Sequence, residues 1–116
     1  MKQINALSLA HDFITAHVKP GSFCIDATAG RGRDTAFLCR LAGPNGMVYA
    51  FDIQKEALDS TRTLLENEGL SSCARLIHDS HANMAVYARP ESADCIVFNL
   101  GWLPGGDHDI HTDARS

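Results

Sequence analysis

One glycine turn constrains this chain more than any other feature. The segment Asp26-Ala27-Thr28-Ala29-Gly30-Arg31-Gly32-Arg33-Asp34-Thr35 follows the apolar run Phe23-Cys24-Ile25, and after it Ala36, Phe37, Leu38 and Leu41 recur at helical spacing. The local order is strand, turn, helix. Glycines at 30 and 32 let the backbone bend sharply and approach a ligand more closely than a Cβ would permit. Amides at the start of the following helix can face a polar or anionic group. That combination has the form of a nucleotide-cofactor loop.

Around the turn the pattern repeats. Residues 4–18 place Ile4, Leu7, His11, Ile14 and Val18 on one helical stripe, which predicts an N-terminal packing helix within residues 1–20, stopped by Pro20-Gly21. A helix over 34–42 ends at Gly43-Pro44-Asn45-Gly46, and Met47-Val48-Tyr49-Ala50-Phe51 reads as a second strand ending at Asp52. A helix over 54–68 carries Ala57, Leu58, Thr61, Leu64 and Leu65 on its inner face, with Gly69 as its cap. Ala74-Arg75-Leu76-Ile77 is a third strand, a short helix spans 80–88, and Cys95-Ile96-Val97-Phe98 is a fourth strand running into Asn99. Strands alternating with helices predict a doubly wound α/β fold with a parallel sheet and right-handed crossovers. In such sheets ligands bind beyond the carboxyl ends of the strands, where Asp26, the two glycines, Asp52, Asp79 and Asn99 all fall.

Length and composition narrow the function classes. A chain of 116 residues is a single domain, 1–116, with residues 107–116 expected to form a flexible tail. No apolar run approaches the length that crosses a bilayer, so no membrane partner is expected. Asn5, His11 and Asp12 interrupt any signal-like stretch, and a cytoplasmic location is the expectation. Cys24, Cys39, Cys73 and Cys95 are widely spaced, three on expected strands and one on a helix, as buried small hydrophobes rather than a metal or disulfide set. No metal site is expected: His78 and His81 have helical ligand spacing, but His78 ends a strand, and His108 and His111 sit in the polar tail. A net charge of -4 argues against a generally basic nucleic-acid coat, while Arg31 and Arg33 either concentrate positive potential at the mouth of the site or are simply solvated loop residues.

Which cofactor the turn suits follows from spacing. A dinucleotide fingerprint needs a third small residue, and counting from Gly30 that position is Thr35. An NAD-binding oxidoreductase module is therefore the weaker alternative. Asp52 stands 22 positions after Gly30, where a strand-end carboxylate can accept from ribose hydroxyls of either cofactor.

The pattern Asp26-x-x-x-Gly30-x-Gly32 resembles motif I of S-adenosylmethionine-dependent methyltransferases. With Val48-Tyr49-Ala50-Phe51-Asp52-Ile53-Gln54, Ser80-His81 and, above all, Phe98-Asn99-Leu100-Gly101-Trp102-Leu103-Pro104-Gly105-Gly106-Asp107, the chain is similar over nearly its whole length to small bacterial methyltransferases labelled rRNA methylases. Members of that family are associated with methylating the 5-aminomethyl group of the tRNA wobble 2-thiouridine. The chain departs from the family at Arg31 and Arg33, where other polar residues are usual, and at Trp102, where tyrosine is usual.

The resemblance implies a Rossmann-like class I methyltransferase fold with strand order 3-2-1-4 and S-adenosyl-L-methionine as cofactor. It implies that Asp26, Gly30 and Gly32 hold the methionine end, that Thr28, Asp34 and Thr35 also belong to the cofactor site, that Asp52 holds the ribose, and that Ile53 and Gln54 border the adenine. Asp79 and Ser80 would meet the adenine edge, Asn99 would face the acceptor nitrogen, and Trp102 would stack on a base of the RNA, most simply a tRNA. Enzymes of this type normally have seven strands, so the expected fold lacks the usual C-terminal strands and leaves the fourth strand as an edge through which a homodimer could form. A truncated, non-catalytic binding or interaction domain is therefore the second alternative.

Overall fold

The computed structural model describes residues 6–98. Asn99, Trp102 and the tail over 107–116 lie outside the described residues.

Helix α1 (Ala6–His17) precedes strand β1 (Phe23–Asp26), and helix α2 (Arg33–Ala42) leads to β2 (Met47–Asp52). Helix α3 (Lys55–Asn67), a 3-10 turn at Ser71–Cys73, β3 (Ala74–His78), a second 3-10 turn at His81–Asn83 and the single-turn α4 (Met84–Tyr87) follow. A third 3-10 turn at Pro90–Ser92 then precedes β4 (Cys95–Val97). The four strands form one sheet in the order β3-β2-β1-β4, and every pair is parallel. Strand order reverses at β1, which pairs with β2 on one side (Asp26 beside Ala50) and β4 on the other (Asp26 beside Val97). The topological switch, where such sheets bind ligands, therefore lies at the carboxyl end of β1.

Alternation along the strands builds two cores. Cys24, Val48, Cys95 and Val97 face α1, α2 and α3, and pack with Ile14, Val18, Leu38, Cys39, Ala42 and Leu65. Ile25, Phe51 and Ile77 face the other way onto Met84, with Phe23, Tyr49, Tyr87, Ile96 and Phe98 partly buried beside them. Among the described residues, α4 is the only helix on that second face. All four cysteines are buried and unbridged. Burial lifts the Cys24 thiol to about 12, so it packs as a small hydrophobe rather than reacting as a thiolate.

Two local expectations change. Cys73 closes a 3-10 turn rather than lying in the third strand. The helix expected over 80–88 divides into the 3-10 turn and the four-residue α4, because the Ser80 side chain accepts from Ala82 N–H and starts a tight turn instead of a regular helix. Gly69 takes a left-handed φ of 70° just past the α3 cap, and Leu70 N–H reaches back to Leu65 O at 2.8 Å, as in a Schellman ending.

Candidate cofactor site

The carboxyl ends of β1 and β2 are fastened to one loop. Ala27 N–H donates to Val97 O at 2.8 Å and Ala29 N–H donates to Phe51 O at 2.8 Å, so the chain leaving β1 is tied to both neighbouring strands. Gly30 N–H then donates to Asp52 Oδ2 at 3.0 Å, while Asp52 Oδ1 accepts from Gln54 N–H at 2.9 Å. Asp52 thus fixes the loop crest and the start of α3 at once, and its remaining lone pairs leave acceptor capacity for a ligand. The Thr61 hydroxyl of α3 lies 3.2 Å from Gly30 O and 2.9 Å from Ala57 O, holding the loop from beneath.

The two glycines do different work. Gly30 has φ 57°, and a Cβ built there would meet nothing within 4 Å, so its α-carbon faces open space that a ligand can enter. Gly32 has φ 91°, and a Cβ there would sit 2.8 Å from the Thr61 Cα. Gly32 is required for close packing of the loop on α3; Gly30 leaves room for a guest.

Asp26 is 1% exposed. Its Oδ2 accepts from the Thr35 hydroxyl at 2.7 Å and its Oδ1 from Thr28 N–H at 3.2 Å. Burial pushes its carboxyl up to about 7; the charges of Asp34 and Asp52 add to the rise, and the bonds from Thr35 and Thr28 oppose it. Asp26 and the equally buried Thr35 therefore sit under the loop and brace it. Asp34, in the first turn of α2, is raised by its own burial, with the His11 imidazole opposing. Asp34 and Asp52 beside the glycine loop give it a negative potential that favours a cationic ligand, while burial favours the neutral acid at Asp26.

Beyond Asp52, Ile53 is 69% exposed and Gln54 is also exposed, an apolar side chain and an amide at the rim. Asp79, just past β3, accepts from Ser80 N–H at 2.7 Å, Asn83 Nδ2 at 2.8 Å and the Tyr87 hydroxyl at 2.9 Å. The Asn83, Tyr87 and Ser80 bonds, in that order, hold its carboxyl below the usual range. His78 Nε2 lies 3.0 Å from Ile53 O and links the ends of β3 and β2. The structure thus brings Asp26, Thr28, Gly30, Gly32, Asp34, Thr35, Asp52, Ile53 and Gln54 to the ends of β1 and β2, and puts Asp79 and Ser80 at the end of the neighbouring β3. Asn99 and Trp102 lie outside the described residues.

The family model described as Putative rRNA methylase matches residues 48–116, more than half of the chain. The chain belongs to the putative rRNA methylase family. Among curated relatives, the chloroplastic tRNA (mnm5s2U34)-methyltransferase of Arabidopsis thaliana is 38% identical over 117 residues, covering 92% of this chain and 42% of the relative. A solved structure described as a putative rRNA-methylase from Clostridium thermocellum superposes with a TM-score of 0.82 at 44% identity, over 95% of this chain and 59% of that one. A methyltransferase of Streptococcus mutans, described as putative and solved in complex with SAH, gives 0.77 at 39% identity, over 90% and 57%. The chain spans 42% of that curated relative and somewhat over half of these two solved chains. The Rossmann-like methyltransferase fold expected from the sequence is the fold observed.

In this family member three contributors escape the sequence reading. Tyr87 and Asn83 hold Asp79 through side chains, and the only hint is that Asn83 lies four residues after Asp79. His11, read as one member of an apolar stripe, stacks on Phe37 at 4.4 Å between ring centroids and brings Nε2 to 3.6 Å from Asp34 Oδ1. A polar residue on that stripe was the available signal.

Proposed function

We propose that this chain is the cofactor-binding part of an S-adenosylmethionine-dependent RNA methyltransferase that modifies the 5-aminomethyl group of the tRNA wobble 2-thiouridine. The observation that carries the reading is the glycine loop itself: an open α-carbon at Gly30, whose N–H is bonded to the Asp52 carboxylate, with Asp34 in the first turn of the helix that follows. A ligand bearing a sulfonium and an ammonium suits that potential, and ribose hydroxyls suit the spare lone pairs of Asp52. The SAH complex of the Streptococcus mutans relative and the tRNA specificity in the name of the Arabidopsis relative support cofactor and substrate respectively.

The residues fit that cofactor. Gly30 and Asp52 would hold its methionine and ribose ends, Ile53 and Gln54 would border the adenine, and Asp79 with Ser80 would stand at the adenine edge. When bound, the cofactor supplies a methyl group activated by a sulfonium. The remaining demand on the chain is positioning, since aligning an amine with an activated carbon supplies most of the needed acceleration. Asn99, which follows β4 and Phe98 in the sequence, carries a side-chain oxygen suited to accept from the N–H of a neutral amine and aim its lone pair. Trp102 offers a ring on which a base can stack, worth about 1–3 kcal/mol in single-stranded recognition.

The test is transfer of a labelled methyl group to tRNA that bears the unmethylated aminomethyl-thiouridine, read by mass analysis of the nucleosides. Label on that nucleoside is the expected result. Binding of S-adenosylhomocysteine with no label in any RNA would make the chain a non-catalytic binding domain instead, and label on a different nucleoside would replace the substrate.

A further inference from the structure

A concavity borders the glycine loop at Arg31 and Arg33. A cleft of about 500 Å³ opens between α1, α2 and α3, with Arg31, Arg33, Phe37 and Arg40 along one wall and the His11 ring stacked on Phe37. Arg40 is paired with Glu68 across the cleft, and Asp34 has His11 beside it. Arg31 and Arg33 are exposed, and among the described residues neither has a carboxylate partner. In a chain of net charge -4 this places unneutralised guanidinium groups at one edge of the cofactor loop.

Spacing indicates what such a wall can hold. Arg33 and Arg40 are seven residues apart on α2, about 10 Å along its axis, a distance over which a nucleic-acid backbone presents more than one phosphate. Arg31 extends the row onto the loop beside Gly30. Guanidinium groups bind phosphate oxygens in a fixed, forked geometry, and a row of them spaced along a groove suits a polyanion better than a single small anion.

We propose that Arg31, Arg33 and Arg40 form a track for the RNA phosphate backbone, leading along α2 to the cofactor loop. The inference rests on the RNA methyltransferase reading and adds to it the surface that guides the strand. Arg31 and Arg33 supply the contacts; Arg40, already engaged by Glu68, exchanges that partner for a phosphate or lines the floor. The track is a positioning surface and touches no reacting atom.

The experiment is fluorescence anisotropy of a labelled, unmodified tRNA transcript with the whole chain across a salt series, beside calorimetric titration with S-adenosylhomocysteine. The variants are R31Q/R33Q and, as a control that also removes two cations, K55Q/R62Q, whose side chains pair with Asp59 on the exposed side of α3. For R31Q/R33Q the slope of log K against log salt should lose about 1.4–1.8 in magnitude, two phosphate contacts at about 0.7–0.9 each, with S-adenosylhomocysteine affinity unchanged. The control should keep the wild-type slope. Equal loss in both doubles would show that only net charge matters and would overturn the track. Loss of S-adenosylhomocysteine binding in R31Q/R33Q would assign these arginines to the cofactor, which also overturns it. A wild-type chain that binds S-adenosylhomocysteine but no tRNA at low salt refutes the track while leaving the cofactor site standing; a chain that binds neither refutes the underlying reading.

Discussion

Replacing Gly30 and Gly32 by alanine, one at a time, separates what the two positions do. At Gly32 a Cβ would lie 2.8 Å from the Thr61 Cα and 3.1 Å from its Cβ and Cγ2. The near atom is backbone of α3, so relief requires moving the helix rather than turning a side chain. Such overpacking costs about 1–3 kcal/mol, and a non-glycine residue at φ 91° adds about 1–2 kcal/mol. Gly32→Ala should therefore lose about 2–5 kcal/mol of unfolding free energy, a large part of the total for a small domain. Gly30→Ala bears only the left-handed penalty, about 1–2 kcal/mol, because nothing lies within 4 Å of the new methyl group. That methyl group, however, enters the space offered to a ligand. S-adenosylhomocysteine affinity should fall about tenfold or more in Gly30→Ala, equivalent to about 1.4 kcal/mol for one obstructed approach. Urea unfolding and calorimetric titration of both variants provide the readouts. Equal destabilisation at the two positions, or undiminished ligand affinity in a folded Gly30→Ala protein, would refute the division of roles.

Two further outcomes follow from the titrating groups. The Asp26 carboxyl, raised by burial to about 7 from an unfolded value of 3.8, keeps its proton in the folded state over a range where the unfolded chain has lost it. Its stabilising contribution is therefore complete below about pH 4 and fades as pH rises toward 7, at up to about 1.4 kcal/mol per pH unit. Urea midpoints measured from pH 4 to 8 should show that component vanish in Asp26→Asn; a variant whose profile parallels the wild type would contradict the buried neutral acid. Tyr87→Phe removes one of the donors that depress Asp79, so the Asp79 carboxyl should titrate higher than in the wild type when followed by NMR. An unmoved titration would show that the Tyr87 bond is not made in solution.

The sheet was legible because continuous apolar runs such as Phe23-Cys24-Ile25 and Val48-Tyr49-Ala50-Phe51 are what strands covered on both faces require. Asp52 at the end of β2 was legible for the same reason: once the strands are placed, their ends are placed. The unequal roles of Gly30 and Gly32 were not, since they depend on Thr61, some thirty residues further on, and both positions satisfy the same local geometry. Nor could the sequence separate bracing from ligand contact at Asp26, because its Thr35 partner and its complete burial arise only when α2 folds back over β1. His11 was masked by its apolar neighbours on one helical stripe, although its ring meets Phe37 and its nitrogen approaches Asp34. Arg31 and Arg33 were visible as charges, but the cleft that gives them a direction exists only between three packed helices.

The central claim is that the crest of the β1 loop, with Asp52 beside it, receives an adenosyl ligand. Calorimetric titration of the folded chain with S-adenosylhomocysteine tests it most directly. One-to-one binding that weakens strongly in Asp52→Ala, in a variant whose far-UV spectrum is unchanged, is the predicted result. A folded wild-type chain that releases no binding heat, and shows no ligand-induced shift in its unfolding midpoint, would contradict it.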